Sequence, residues 1–139
     1  MEQRPGSSPN NLKTLLVVDD DPATLELVSE VFLGGDYNVL TAISGESALQ
    51  RARDYKSEIH LLLSDFQMPG MSGIELATKL TVERPQLKVL MMSAFTGGTL
   101  VLNEGWHFLP KPFMPSQLRA LVLGLIFPDR DSKFSTHAP

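Results

Sequence analysis

The chain has 139 residues, of which 42% are hydrophobic and 20% charged, with a formal net charge of −4. This suits one cytoplasmic α/β domain with a core large enough to need no staple. The absence of cysteine excludes disulfides and thiolate metal sites, and His60, His107 and His137 lack zinc spacing. No basic run points to nucleic acid, and neither a signal peptide nor a bilayer-length apolar stretch points to a membrane.

Residues 1–11, "MEQRPGSSPNN", read as a loose lead-in to a domain over 12–128, and 129–139, "DRDSKFSTHAP", as a loose tail. Lys13–Val18, "KTLLVV", has the continuous apolar character of a buried strand. Asp21 is placed to cap a helix with Pro22 at its first position, and Gly34-Gly35 ends its apolar stripe. Tyr37–Ala42 alternates as a strand, and Ser44 caps a helix running to about Tyr55. A third strand spans Ile59–Ser64 and closes on Asp65.

After the loop "DFQMPGM", Ser72 and Glu75 form a capping box for a helix to about Val82. Leu87–Met92 is the fourth strand, 96–105 a weak helix candidate weakened by Gly97 and Gly98, and Trp106–Leu109 a short fifth strand. Pro115–Phe127 closes the chain as an amphipathic helix. The (βα)5 alternation predicts a parallel sheet with helices on both faces and right-handed crossovers.

In such sheets function gathers beyond the carboxyl ends of the strands. Those ends carry Asp19, Asp20 and Asp21 after strand one, Asp65 after strand three, Ser93 after strand four and Lys111 after strand five. Capping accounts for Asp21 alone. Adjacent carboxylates repel, so Asp19 and Asp20 need a counter-charge, and a hard cation such as Mg²⁺ (or Mn²⁺) with oxygen ligands would supply it. Asp65 would then be placed as a carboxylate nucleophile able to form an aspartyl phosphate. The Lys111 ammonium and Ser93 hydroxyl could neutralise the phosphoryl oxygens.

Four stretches, "LLVVDDDP", "LLLSDFQMPGMSGIEL", "VLMMSA" and "LPKPF", occur in one order and spacing. In them the chain resembles the receiver domain of two-component response regulators. The resemblance implies a flavodoxin-like fold with strand order 2-1-3-4-5, and a signalling domain in place of a turnover enzyme. It also implies that Asp65 accepts a phosphoryl group from a phosphohistidine on a sensor histidine kinase or phosphotransfer protein, and that the switched form binds a downstream protein. The metal would sit on Asp19, Asp20, Asp65 and the backbone carbonyl of Gln67. Ser93 and Phe108 would fall on the switch positions, and Lys111–Pro112 would be cis. Gln67 and Phe95 would flank the phosphoryl group, with the bulky Phe95 shielding it from water.

The stretch "AFTGGTLVLNEG" departs from the family pattern, lacking its alanine-rich helix and Gly-Ala-Asp turn. "GWHFLPKPF" is closer to receivers attached to hybrid kinases. Pro110 is tolerable only on an edge strand. Among rival readings, a haloacid-dehalogenase-type phosphatase needs Thr or Val where Ala23 stands, and a flavin or nucleotide binder needs a phosphate-cradling glycine loop that is missing. A receiver fold serving as a phosphorylation-independent interaction module stays open.

Overall fold

The computed structural model describes residues 12–94 and 105–128. Five strands, β1 (Lys13–Val18), β2 (Tyr37–Ala42), β3 (Leu61–Asp65), β4 (Lys88–Ser93) and β5 (Trp106–Pro110), form one parallel sheet in the order β2-β1-β3-β4-β5. The helices described are α1 (Pro22–Val31), α2 (Gly45–Asp54), α3 (Gly73–Glu83) and α4 (Pro115–Ile126). This is the flavodoxin-like order expected. The readings of 1–11, 96–104 and 129–139, and the role given to Phe95, fall outside the described residues.

Alternation along the strands splits the core in two. Leu15, Val17, Leu61, Leu63, Leu90 and Met92 meet Val28 of α1, Phe32 at its C-cap, and Leu118 and Val122 of α4. Their neighbours Leu16, Val18, Leu62, Val89 and Met91 meet Ala48 and Ala52 of α2 and Leu76, Ala77 and Leu80 of α3. Because β1 and β3 are covered on both faces, their apolar runs are continuous.

Asp21 caps α1, accepting from the Ala23 N–H at 3.2 Å and the Thr24 hydroxyl at 2.8 Å. Ser72 and Glu75 form the predicted box at α3, and at α2 Ser44 is answered by Ser47. Arg84, just past α3, donates to the carbonyls of Ala52, Tyr55 and Ser57 at 2.8–3.0 Å, pinning the end of α2. On the opposite face Phe127 stacks edge-on against Tyr37, which meets Phe32 in the same way, and the Lys13 ammonium lies over Phe127.

Two strand starts differ from expectation. β3 begins at Leu61, not Ile59, because the Thr14 N–H is taken by the His60 ring (Nδ1, 3.0 Å) and regular pairing starts one residue later. β4 begins at Lys88, since the Leu87 N–H closes a turn onto Arg84 and ladder bonding starts with Lys88 N–H to His60 O. β5 runs on to Pro110, which is exposed on the sheet edge as its missing N–H requires.

Candidate functional site

Asp19 leaves β1 with its N–H bonded to the Ala42 carbonyl and is only 1% exposed. A buried carboxylate needs partners. Its Oδ1 accepts the Asp21 N–H at 2.9 Å and its Oδ2 the Lys111 ammonium at 3.1 Å. Lys111 also reaches Oδ1 of Asp65 at 3.5 Å, so one cation from the far edge of the sheet ties the ends of β1 and β3. It is held there by its own N–H, which donates to the Ser93 carbonyl at 2.6 Å. The Lys111–Pro112 bond is cis.

Asp20 is exposed beside them, and one carboxylate oxygen each from Asp19, Asp20 and Asp65 lies within 4.8 Å of the others. Three carboxylates against one ammonium leave the cluster net negative. Burial pushes the Asp65 carboxyl above the ordinary range and the Asp19 charge adds to this, while Lys111 pulls it back only in part. Burial would lower Lys111, but its hydrogen bond and charge pairing with Asp19, aided by Asp65, outweigh that and raise it. Lys111 is therefore a fixed cation. An all-oxygen donor set with unsatisfied negative charge suits a hard divalent ion. Among the described residues this is the group of three or more acidic or histidine side chains able to hold one.

Ser93 ends β4, buried, one residue past the Met92 that lies beside Asp65 in the sheet. Gln67 is exposed in the loop after β3. Phe108 is half-buried on β5 and packs with Trp106 against the α2/α3 side of the core. The structure thus brings Asp19, Asp20, Asp65 and Lys111 into one cluster, with Ser93 at its edge. Phe108 lies apart from it on the sheet face.

Three features escaped the sequence reading. A cleft of about 400 Å³ lies beside the cluster, lined by Thr24, Leu27, Ala94, Lys111, Pro112 and Phe113. It joins α1 to the turn before α4, segments nearly ninety residues apart, and the sequence carries no local signal of it. Ser64 and Gly73 touch the Asp65 main chain; their signals were a hydroxyl inside an apolar strand and a glycine directly after a helix cap.

A doubly wound 2-1-3-4-5 sheet with acids, a lysine and a hydroxyl at its carboxyl edge defines a receiver-type class of domain. The chain belongs to the response regulator receiver domain family, whose model matches residues 15–123. It is similar to a putative two-component response regulator (ARR21) of Arabidopsis thaliana, 30% identical over 86% of this chain and 20% of that protein. The alkaline phosphatase synthesis transcriptional regulatory protein PhoP of Bacillus subtilis is 30% identical over 82% of this chain and 48% of its own length.

The chain therefore spans less than half of these curated relatives. Among solved structures, the receiver domain of the hybrid histidine kinase CckA superposes with a TM-score of 0.72 at 30% identity, covering 81% of this chain and 98% of that one. The CheX–CheY–BeF3–Mg²⁺ complex of Borrelia burgdorferi gives 0.74 at 25% identity, covering 85% and 97%. No helix among the described residues is long and apolar enough to cross a membrane.

Proposed function

We propose that this chain is a phosphoacceptor in two-component signalling, taking a phosphoryl group onto Asp65 from a phosphohistidine of a sensor histidine kinase or phosphotransfer protein. The observation that carries the reading is the Asp65 carboxylate, half-buried and held between the Lys111 ammonium and the Asp19 and Asp20 carboxylates. A carboxylate oxygen of Asp65 forms the new O–P bond as the P–N bond breaks, its electron pair staying on the departing imidazole. Mg²⁺ (or Mn²⁺), bound by Asp19, Asp20, Asp65 and the Gln67 carbonyl, would supply charge neutralisation of the phosphoryl oxygens.

Lys111 pairs with a phosphoryl oxygen in place of Asp65, and the Ser93 hydroxyl turns to another. Those two movements bias β4 and β5, and with Phe108 the surface offered to a downstream protein. The cleft lined by Leu27, Lys111 and Phe113, beside the cluster, would be the donor protein's contact surface. Gln67, exposed at the mouth of the site, and Phe95 would set how fast water removes the group.

Intact mass after incubation with Mg²⁺ and acetyl phosphate tests this. The expected result is a gain of one phosphoryl group in the wild type and none in Asp65→Asn. No gain from either acetyl phosphate or a phosphohistidine donor overturns it in favour of a phosphorylation-independent module.

A further inference from the structure

The main chain of Asp65 and Phe66 is held by three hydrogen bonds. Phe66 donates its N–H to the Met92 carbonyl of β4 at 2.8 Å. Its own carbonyl accepts the N–H of Gly73, the first residue of α3, at 3.0 Å. The Asp65 carbonyl accepts the hydroxyl of Ser64, a side chain with no solvent exposure, at 2.9 Å.

Gly73 also sits directly over that carbonyl. A Cβ there would fall well inside van der Waals contact with the Asp65 oxygen and 3.1 Å from the Met91 sulfur. The Met91 side chain can yield, but the Asp65 contact is with backbone and cannot, so a methyl group must move α3 and Asp65 apart. The Ser72–Glu75 box and the buried Leu76, Ala77 and Leu80 anchor α3. With Asp65 held in β3 against Met92 of β4, the strain of an added methyl falls on the joint between the two, at the Asp65 carbonyl.

From this geometry we infer that Gly73 and Ser64 are positioning residues, which set where the Asp65 carboxylate stands relative to Asp19 and Lys111. The inference rests on the reading of Asp65 as the acceptor. Neither residue touches the carboxylate; both act through the main chain that carries it. Displacing a reacting group by about 1 Å can cost about a hundred-fold in rate.

The experiment compares Gly73→Ala and Ser64→Ala with Gly45→Ala. Gly45 is also a first helical residue, but its added Cβ would press on the Met71 side chain, at 2.7 Å, and not on the acceptor backbone. Phosphorylation by acetyl phosphate with Mg²⁺ is timed for each folded variant. The carbonyl and amide NMR resonances of residues 64–67 are recorded beside it.

The expected result is a loss of about a hundred-fold for Gly73→Ala and about five-fold for Ser64→Ala, both with shifted Asp65 and Phe66 resonances. Gly45→Ala should stay close to wild type. A Gly73→Ala protein that is phosphorylated at the wild-type rate with those resonances unmoved overturns the inference. Should Gly73→Ala fail to fold, Ser64→Ala decides: a wild-type rate with an unshifted Asp65 carbonyl sinks it. If the wild type itself takes no phosphoryl group, the acceptor reading falls, while the resonances still decide whether Ser64 and Gly73 place Asp65.

Discussion

Asp65 and His60 stand at opposite ends of β3, and both are held against their charged forms. At Asp65 the cause is burial first and the Asp19 charge second, so the folded carboxyl ionises at higher pH than the unfolded one. The folded state then binds the extra proton, and stability falls as pH rises from about 3.8 through the raised value. Above that window the ionised group is a standing cost to the metal-free fold. Asp65→Asn should therefore unfold at a higher temperature than the wild type at pH 7 without metal, by calorimetry, while losing all phosphorylation. An equal or lower midpoint contradicts this.

His60 has the converse logic. Its Nδ1 accepts the Thr14 N–H, which only the neutral ring can do, and burial lowers its pKa despite Glu58 nearby. The unfolded chain is the one that binds the extra proton, so stability is lost as pH falls through about 6.5 to the lowered folded value. Urea unfolding between pH 7.5 and 5 should show a steeper loss for wild type than for His60→Phe. Equal slopes would remove His60 from the account.

At the scale of elements, capping chemistry was legible because it is local. Asp21-Pro22, Ser44 and Ser72 with Glu75 each announce a helix start within four residues. The strand starts were misread where a side chain or a turn intervened: the His60 ring at β3 and the Arg84–Leu87 turn at β4. Nothing in the sequence marks Arg84, because its three carbonyl partners lie 27 to 32 residues earlier in the chain. Arg84→Ala should cost about 2 kcal/mol in urea unfolding, since hydrogen bonds from a charged donor are lost together. Arg53→Ala, which breaks only the exposed pair with Glu83, should cost far less. Similar losses for the two would mean that Arg84 is not the clamp it resembles.

For the molecule as a whole, the carboxylates were legible at the strand ends once the βα alternation was read. Their pairing was not. The bond between Lys111 and Asp19 spans 92 residues, and only the sheet order brings those strand ends together. That order came from the family resemblance, since periodicity predicts strands and not their neighbours. Closing the cluster with a cation should be visible in global stability. Mg²⁺ at about a hundred times its dissociation constant should add about 2.7 kcal/mol. Asp20→Ala should need more Mg²⁺ for the same gain, and an unchanged requirement would remove Asp20 from the ligand set.

The stack of Phe127 on Tyr37 beside Lys13 has a consequence for how the domain is tethered. It brings residue 128 and the first described residues together at the amino ends of the strands, one strand length, about 20 Å, from the acidic edge. Residues 12 and 128 thus stand at the floor of the domain, opposite the edge that carries Asp19, Asp65 and Lys111. If Asp65 is the acceptor proposed, a change that begins there reaches residues 12 and 128 only across the full height of the sheet.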